Sequence, residues 1–215
     1  AFLKAHYPAA FLASTMSADM NNTDSVHIFY DDCAPNQVEV LSPDVNQSEF
    51  KFTPISKNQV LYGLGAVKGT GMAAIEVIVQ ARRQDGPFKD LFDFCNRLDL
   101  RKVNRRVVES LIRAGAFDKL SPSRNALLAG VAMAMAAAEQ NSANSNQNSL
   151  FGEVADKAAN ILPIVPDWSE QQRIKKKKAA LGFYFSGHPY WAYQKDLTQF
   201  ISTTLANLTP KEQPQ

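Results

Sequence analysis

Apolar positions recur at helical spacing along most of this chain and alternate with polar ones in one short region. Residues 1–18 show the helical spacing, with Pro8 suited to the first turn of a second helix. Cap and turn residues at 21–24 precede another short helix that extends to Cys33. From Leu64 to Lys119, and again over 121–140 and 168–181, the spacing is helical.

Between these helical regions the spacing changes to that of strands. Three apolar sets alternate with polar residues: Val38, Val40 and Leu41; Phe50 and Phe52; Val60 and Tyr62. Such alternation predicts three short strands in a small sheet. The fold class predicted is therefore mainly α with a small β-sheet.

Residues 64–78, LGAVKGTGMAAIEVI, predict a short helix, a glycine turn and a second helix. The turn is Gly69-Thr70-Gly71, and the second helix begins at Met72. A helix start without side chains leaves backbone N–H groups accessible, and the helix dipole makes that end positive. Such a site suits a phosphate. With Lys68 at the turn, the layout is that of a helix-hairpin-helix element, although a mere tight corner is the alternative.

A second helical pair follows, with a basic turn over residues 99–106. Asn104 is predicted to cap its second helix, which Gly115 ends. This turn lacks the Gly-x-Gly, and a solvated basic turn is its alternative. Taken together, the two pairs predict a tandem helix-hairpin-helix module that holds the DNA backbone. The predicted DNA-binding residues are Lys68, Gly69, Thr70, Gly71, Arg101, Lys102, Asn104, Arg105 and Arg106.

Residues 141–149 are polar and predict a flexible linker. Within this region Gln147, Leu150 and Phe151 form a motif that looks like a bacterial sliding-clamp-binding peptide. Two bulky apolar side chains in a polar segment suit a partner's pocket. The alternative is that Leu150 and Phe151 pack back on their own domain.

Other features bound the chemistry of the chain. The net charge is +2, so any DNA contact must come from local clusters. Cys33 and Cys95 fit no metal spacing and predict reduced thiols in a cytoplasmic protein. No apolar run is long enough to span a bilayer, and no signal peptide is evident. The chain begins without Met, inside a predicted helix, so we expect a piece of a longer protein.

The sequence shows no catalytic centre and no metal or cofactor site. The aspartates at 31, 32, 90, 93 and 99 form no convincing two-metal set, and three of them suit helix starts and turns. The lysine run at 175–178 is most simply a solvated helix face, with contact to a passing DNA backbone as the alternative.

The segments, in their order, resemble one family: the alpha subunits of bacterial DNA polymerase III, the C-family replicative polymerases. AFLKAHYPAAFLASTMSADMNNTD is similar to the end of that family's fingers, and VLSPDVNQSEFKF to the small strand-containing part that follows. LYGLGAVKGTGMAAIEVIVQAR and FKDLFDFCNRLDLRKVNRRVVESLIRAGAFD resemble its tandem hairpins. QNSLF falls where the family carries its clamp-binding motif, and ALGFYFSGHP resembles the passage toward its OB-fold domain.

The resemblance implies four segments: 1–62, the fingers end; 63–120, the tandem hairpins; 121–166, a helix and linker with the clamp motif at 147–151; and 167–215, a basic helix leading toward the OB-fold. It implies a parent that is a DNA-directed DNA polymerase, whose palm aspartates and Mg²⁺ lie outside this chain. Implied partners are double-stranded primer-template DNA, the beta sliding clamp and other replicase subunits, with no membrane.

Two functions of other classes compete with this one. A non-enzymatic helix-hairpin-helix module of a repair protein would need neither the FKF nor the SGHP segment. A clamp-docking adaptor without a DNA role would need neither the glycine turn nor the basic cluster at 101–106.

Overall fold

The chain folds into helices around a small sheet, in a computed structural model that describes residues 2–147 and 161–187, with Tyr190 and Tyr193. The predicted class, mainly α with a small sheet, is confirmed. The helices in the described part are α1 (Phe2–His6), α2 (Pro8–Ala18), α3 (Thr23–Asp31), α4 (Met72–Asp85), α5 (Leu91–Arg97), α6 (Arg105–Ala114), α7 (Arg124–Gln147) and α8 (Glu170–Leu181).

Helices α2 and α3 begin where local chemistry predicts. Pro8 occupies the first turn of α2, where its missing N–H costs no hydrogen bond. Asn22 caps α3, because its side-chain oxygen accepts from the N–H groups of Asp24 and Ser25 at 3.1 and 3.2 Å.

The sheet has three strands, β1 (Glu39–Leu41), β2 (Thr53–Ser56) and β3 (Gln59–Leu61), in the order β1-β3-β2. β1 runs parallel to β3, and β2 runs antiparallel to it. The prediction of a strand at Phe50 and Phe52 was wrong, because the ladder begins only at Thr53. Phe52 instead sends its ring into the core, 4.7 Å from the Tyr62 ring, just before the strand.

The hydrophobic core is one cluster of buried side chains, with members from α2 to α8. Three rings continue edge to face through it, with 4.8 Å between the centroids of Phe88 and Phe94 and 4.9 Å between those of Phe94 and Phe117. At the start of α7, the buried Arg124 guanidinium binds the Asp118 carboxylate at 2.5 and 2.6 Å and the Arg113 carbonyl at 3.1 Å.

Helix α7 runs further than the sequence pattern predicted. It ends at Gln147, so residues 141–147 are helical and not part of a flexible linker. The alanine-rich stretch before them has high helix propensity, and a helix already nucleated extends easily through polar residues. Asn141 is also held in place, because its amide donates to Asn96 Oδ1 at 3.0 Å.

Residues 161–185 belong to the same compact unit as the helices before them. Asn125 Nδ2 donates to the Pro166 carbonyl at 2.7 Å, which holds this segment against the start of α7. A capping box at Ser169 then begins α8, and Gly182, in the left-handed conformation, ends it. The Tyr30 hydroxyl donates to the Phe185 carbonyl at 2.5 Å, which joins α3 to the segment after α8.

The chain divides into two compact units, residues 1–185 and 186–215. The segment boundaries at residues 62, 120 and 166 remain predictions. All three lie within the first unit. Among the described helices, none combines the length and the apolar character that crossing a membrane requires.

Candidate nucleic-acid interface

The first hairpin is a tight turn held by its own threonine. The predicted first helix is a single 3-10 turn, Leu64–Ala66, which ends two residues before the glycine turn. The Thr70 hydroxyl shares its one proton between the carbonyls of Leu64 and Val67, at 2.8 and 2.7 Å. Thr70 therefore shapes the turn with its side chain. Gly69 adopts φ 85°, a conformation that side chains disfavour.

Gly71 is the N-cap of α4, and it has no side chain to bond the first turn. Its backbone is extended, with φ −107° and ψ 157°, and a built Cβ would meet nothing within 4 Å. Met72 and Ala73 are both exposed. The positive end of a 14-residue helix thus faces solvent with no capping side chain, as the sequence predicted.

Lys68 joins this turn to α8. Its backbone N–H donates to the Ala180 carbonyl at 2.8 Å. Its exposed side chain passes over the end of α8, where a Cβ built on Gly182 would lie 2.9 Å from Lys68 Nζ. The turn is therefore fixed by the backbone, while the charge of Lys68 stays at the surface.

The four basic residues of the second hairpin differ in their ion pairing. Arg101 binds Asp99 at 3.0 Å, and this hydrogen bond holds the pKa of Asp99 below its ordinary value. Arg105 binds Glu109 at 2.7 Å, which lowers the pKa of that carboxyl in the same way. In the part of the chain that the structure describes, Lys102 and Arg106 form no ion pair.

Asn104 caps α6, as predicted, because its side-chain oxygen accepts from the Val107 N–H at 3.1 Å. That oxygen is thereby used within the protein. The first-turn residues Arg105 and Arg106 are exposed at the positive end of α6.

The two hairpins meet at Gly69. A Cβ built there would lie 3.3 Å from Ser110 Oγ and 3.6 Å from Arg106 Nε, both on α6. The structure therefore brings Lys68 and the glycine turn beside Arg106. The Arg101 side chain donates hydrogen bonds to the Asp99 carboxylate.

Sequence reasoning missed that α8 braces the first hairpin. It also treated the lysine run as one face, whereas Lys177 is buried, with 6% of its surface exposed. A signal was available: Ala180 and Leu181 are apolar, and positions three and four residues earlier on a helix share their face. Lys177 lies three residues before Ala180 and four before Leu181, so it shares their buried face.

The predicted clamp motif lies almost wholly outside the described residues. Gln147 is the last residue of α7, and Asn148, Ser149, Leu150 and Phe151 fall beyond it.

The two cysteines are buried and free. Burial raises the pKa of Cys33 to about 11 and that of Cys95 to about 12. Such thiols are poor nucleophiles at neutral pH. Among the described residues, no three His, Cys, Asp or Glu side chains converge as metal ligands would.

The chain is similar to known proteins. A family model described as a helix-hairpin-helix motif matches residues 37–127. DNA polymerase III subunit alpha of Neisseria meningitidis serogroup B is 46% identical over 213 residues, which is 99% of this chain. The subunits of the same name from Vibrio cholerae and Escherichia coli K12 are 42% and 38% identical over 100% and 98% of the chain. The chain spans only 19% of the length of each of these three relatives.

Proposed function

We propose that this chain is the part of a DNA polymerase III subunit alpha that holds duplex DNA, because nearly all of the chain matches one segment of such subunits. The observation that carries the proposal is the meeting of the two hairpins at Gly69, which places Arg106 beside the glycine turn that leads into the uncapped start of α4. The resemblance stated from the sequence is confirmed by these relatives.

The ligand that suits this surface is the phosphate backbone. Backbone N–H groups at a helix start and unpaired cationic side chains both bind phosphate oxygens. Lys68, Lys102 and Arg106 supply the cations, with Arg101 and Arg105 beside them. Phosphate contacts carry no base information, so the proposed role is to position the duplex without reading its sequence.

The best test is a substitution at Gly71, where the backbone already suits an N-cap side chain. Gly71→Asp meets no atom within 4 Å, and aspartate is a favoured N-cap, so the fold should be kept or stabilised. The new carboxylate would stand where a phosphate is proposed to bind. We expect duplex affinity at low salt to fall about 10-fold or more, as loss of a charged contact implies.

Gly71→Asn is the matched control, because it caps the helix without charge. We expect it to bind duplex DNA nearly as well as the parent chain. Equal affinity of the Asp and Asn variants would remove the phosphate site from this turn. A similar change at Gly69 is less useful, because φ 85° and the contact with Ser110 would strain the fold.

A polymerase origin is favoured over a repair-protein module by the extent of the match. The helix-hairpin-helix model accounts for residues 37–127, whereas the polymerase relatives match 98% or more of the chain. We propose DNA-directed DNA synthesis as the activity of the parent, with its catalytic aspartates and Mg²⁺ outside this chain. The chain alone should then bind a primer-template without extending it.

The second proposed role is to tether the parent to a sliding clamp through Gln147, Leu150 and Phe151. The support is the sequence motif, which begins at Gln147, the last residue of α7. Tethering raises the local concentration of the polymerase at the primer end without new chemistry.

Surface plasmon resonance with an immobilised beta clamp tests this role. The unsubstituted chain should bind the clamp, and a Leu150→Ala, Phe151→Ala variant of it should not. Gly71→Asp serves as the control that keeps clamp binding while DNA binding falls. A clamp that captures neither chain would remove the tether from the proposal.

A further inference from the structure

Helix α8 carries a strongly basic surface that the two hairpins do not include. Its sequence, EQQRIKKKKAAL, has five cationic residues and a single carboxylate, Glu170 in the first turn. Lys175, Lys176 and Lys178 form no ion pair with any carboxylate in the described part of the chain. Their charges are therefore open to an anionic partner.

One lysine of the run anchors the helix and fixes the direction of the others. Lys177 is buried, donates to Ser42 Oγ at 3.0 Å and lies 4.4 Å from the centre of the Phe185 ring. Since successive residues turn by about 100°, Lys175 points away from the buried side and Lys178 lies on an adjoining flank. Both are exposed.

Aromatic rings limit the freedom of the neighbouring lysines. Lys178 Nζ lies 4.4 Å from the centre of the Tyr184 ring, and Lys176 Nζ lies 4.7 Å from that of Trp168. Cation–π contact at an exposed site is weak but orients the ammonium group. The lysines are thus partly ordered before any partner arrives, which reduces the entropy lost on binding.

The basic surface of α8 adjoins the first hairpin. The Ala180 carbonyl accepts from the Lys68 N–H at 2.8 Å, and the Lys178 carbonyl accepts from the Gly182 N–H at 2.6 Å. Gly182 is the residue over which the Lys68 ammonium group lies. Lys178 therefore sits within one helical turn of the residue that touches Lys68.

We propose that Lys175 and Lys178 of α8 bind phosphates of the same duplex that the hairpins hold. This inference rests on the proposed function and extends it by a third contact element. A duplex is the partner of choice because the surface continues from a turn suited to phosphate, and a rigid row of phosphates can meet cations on several elements at once.

The experiment measures duplex binding by the full 215-residue chain at several salt concentrations. The variant is Lys175→Gln with Lys178→Gln, both on the exposed side of α8, where the fold should be unaffected. Each phosphate contact contributes about 0.9 to the slope of log K against log salt, so the slope should fall by about 1 to 2.

The matched control is Lys51→Gln with Lys57→Gln. Both lysines are exposed beside the sheet and form no ion pair in the described part of the chain, so the same net charge is removed elsewhere. The control should keep the slope of the parent chain. If the slope of log K against log salt falls in both variants, the change is due to net charge alone, and the proposal is overturned.

The failure of this inference can be told apart from that of the proposed function. If Gly71→Asp weakens binding but the α8 variant keeps the parent slope, α8 makes no phosphate contact and the hairpin role stands. If the parent chain itself binds no duplex at low salt, both are overturned. A lower slope in the α8 variant alone supports the third contact.

Discussion

Replacing the buried Lys177 by methionine should stabilise the protein at neutral pH. Only 6% of the Lys177 surface is exposed, and its partners include the Ser42 hydroxyl and the Phe185 ring. Burial, followed by the nearby Arg124 charge, lowers the pKa of this amine from 10.5 to about 8. Asp118 acts in the opposite direction but does not compensate.

The size of the effect follows from linkage. One pKa unit corresponds to 1.36 kcal/mol, so the lowering from 10.5 to about 8 corresponds to roughly 3 kcal/mol. Below pH 8 the amine is protonated in both states, and folding carries the full cost of burying the charge. Between pH 8 and 10.5 the unfolded chain binds more protons, so stability rises with pH. Above that range the amine is neutral in both states.

Lys177→Met removes the charge and keeps the length of the side chain. Allowing for the lost contacts with Ser42 and Phe185, we expect a gain of about 1 to 3 kcal/mol at pH 7. For a chain of this size that is a rise in Tm of about 2–4 °C for each kcal/mol. The gain should shrink as the pH is raised toward 10, because the parent amine is then neutral. Urea unfolding at pH 7, 8.5 and 10 measures the gain in the free energy of unfolding and its decrease with pH.

Lys175→Met is the control on the same helix, and its exposed position should change stability by about 0.5 kcal/mol or less. The reasoning would be refuted if Lys177→Met lost stability at pH 7 by an amount independent of pH. That result would mean that the hydroxyl and the ring hold the lysine charged at no net cost.

Three further outcomes follow from local contacts. Asn104→Ala removes the cap of α6 and should reduce the free energy of unfolding by about 1 kcal/mol in urea titrations, whereas Asn104→Asp should retain it. Gly115→Ala should reduce it by more than about 1 kcal/mol, since φ is 94° and the new methyl group would meet the Arg124 guanidinium; a neutral result would contradict that contact. Cys33 and Cys95 should resist a disulfide reagent at pH 8 in the folded protein and react fully in guanidinium, and rapid native labelling would show that they are accessible.

Local chemistry predicted the positions at which helices begin and end. Asn104 caps α6, Gly115 ends it in the left-handed conformation, and Pro8 starts α2. Each of these depends on one residue and its immediate backbone, so the sequence alone carries the information. The exposed, uncapped start of α4 at Gly71 was predicted on the same grounds.

Features decided by contacts between distant residues were not predictable in this way. The alternation at Phe50 and Phe52 resembles that of a strand. A strand also needs a partner, and the pairing with β3 begins only at Thr53, which lies opposite Leu61. The burial of Lys177 depends on the position of Ser42, 135 positions away. The meeting of Gly69 with Arg106 likewise needs the packed helices. Periodicity describes one element at a time and does not specify which elements touch.

The hydrogen bond between Tyr30 and Phe185 has a consequence for synthesis of the protein on the ribosome. It joins residues 155 positions apart, and the rings of Tyr30 and Phe185 also lie 5.1 Å from each other. At about 5–20 residues per second, translation needs roughly 8–30 s to pass from one to the other. During that time α3 lacks the Phe185 side of its packing. A nascent chain stalled before residue 185 should therefore expose Tyr30 to proteases and chaperones, whereas one stalled well beyond it should not.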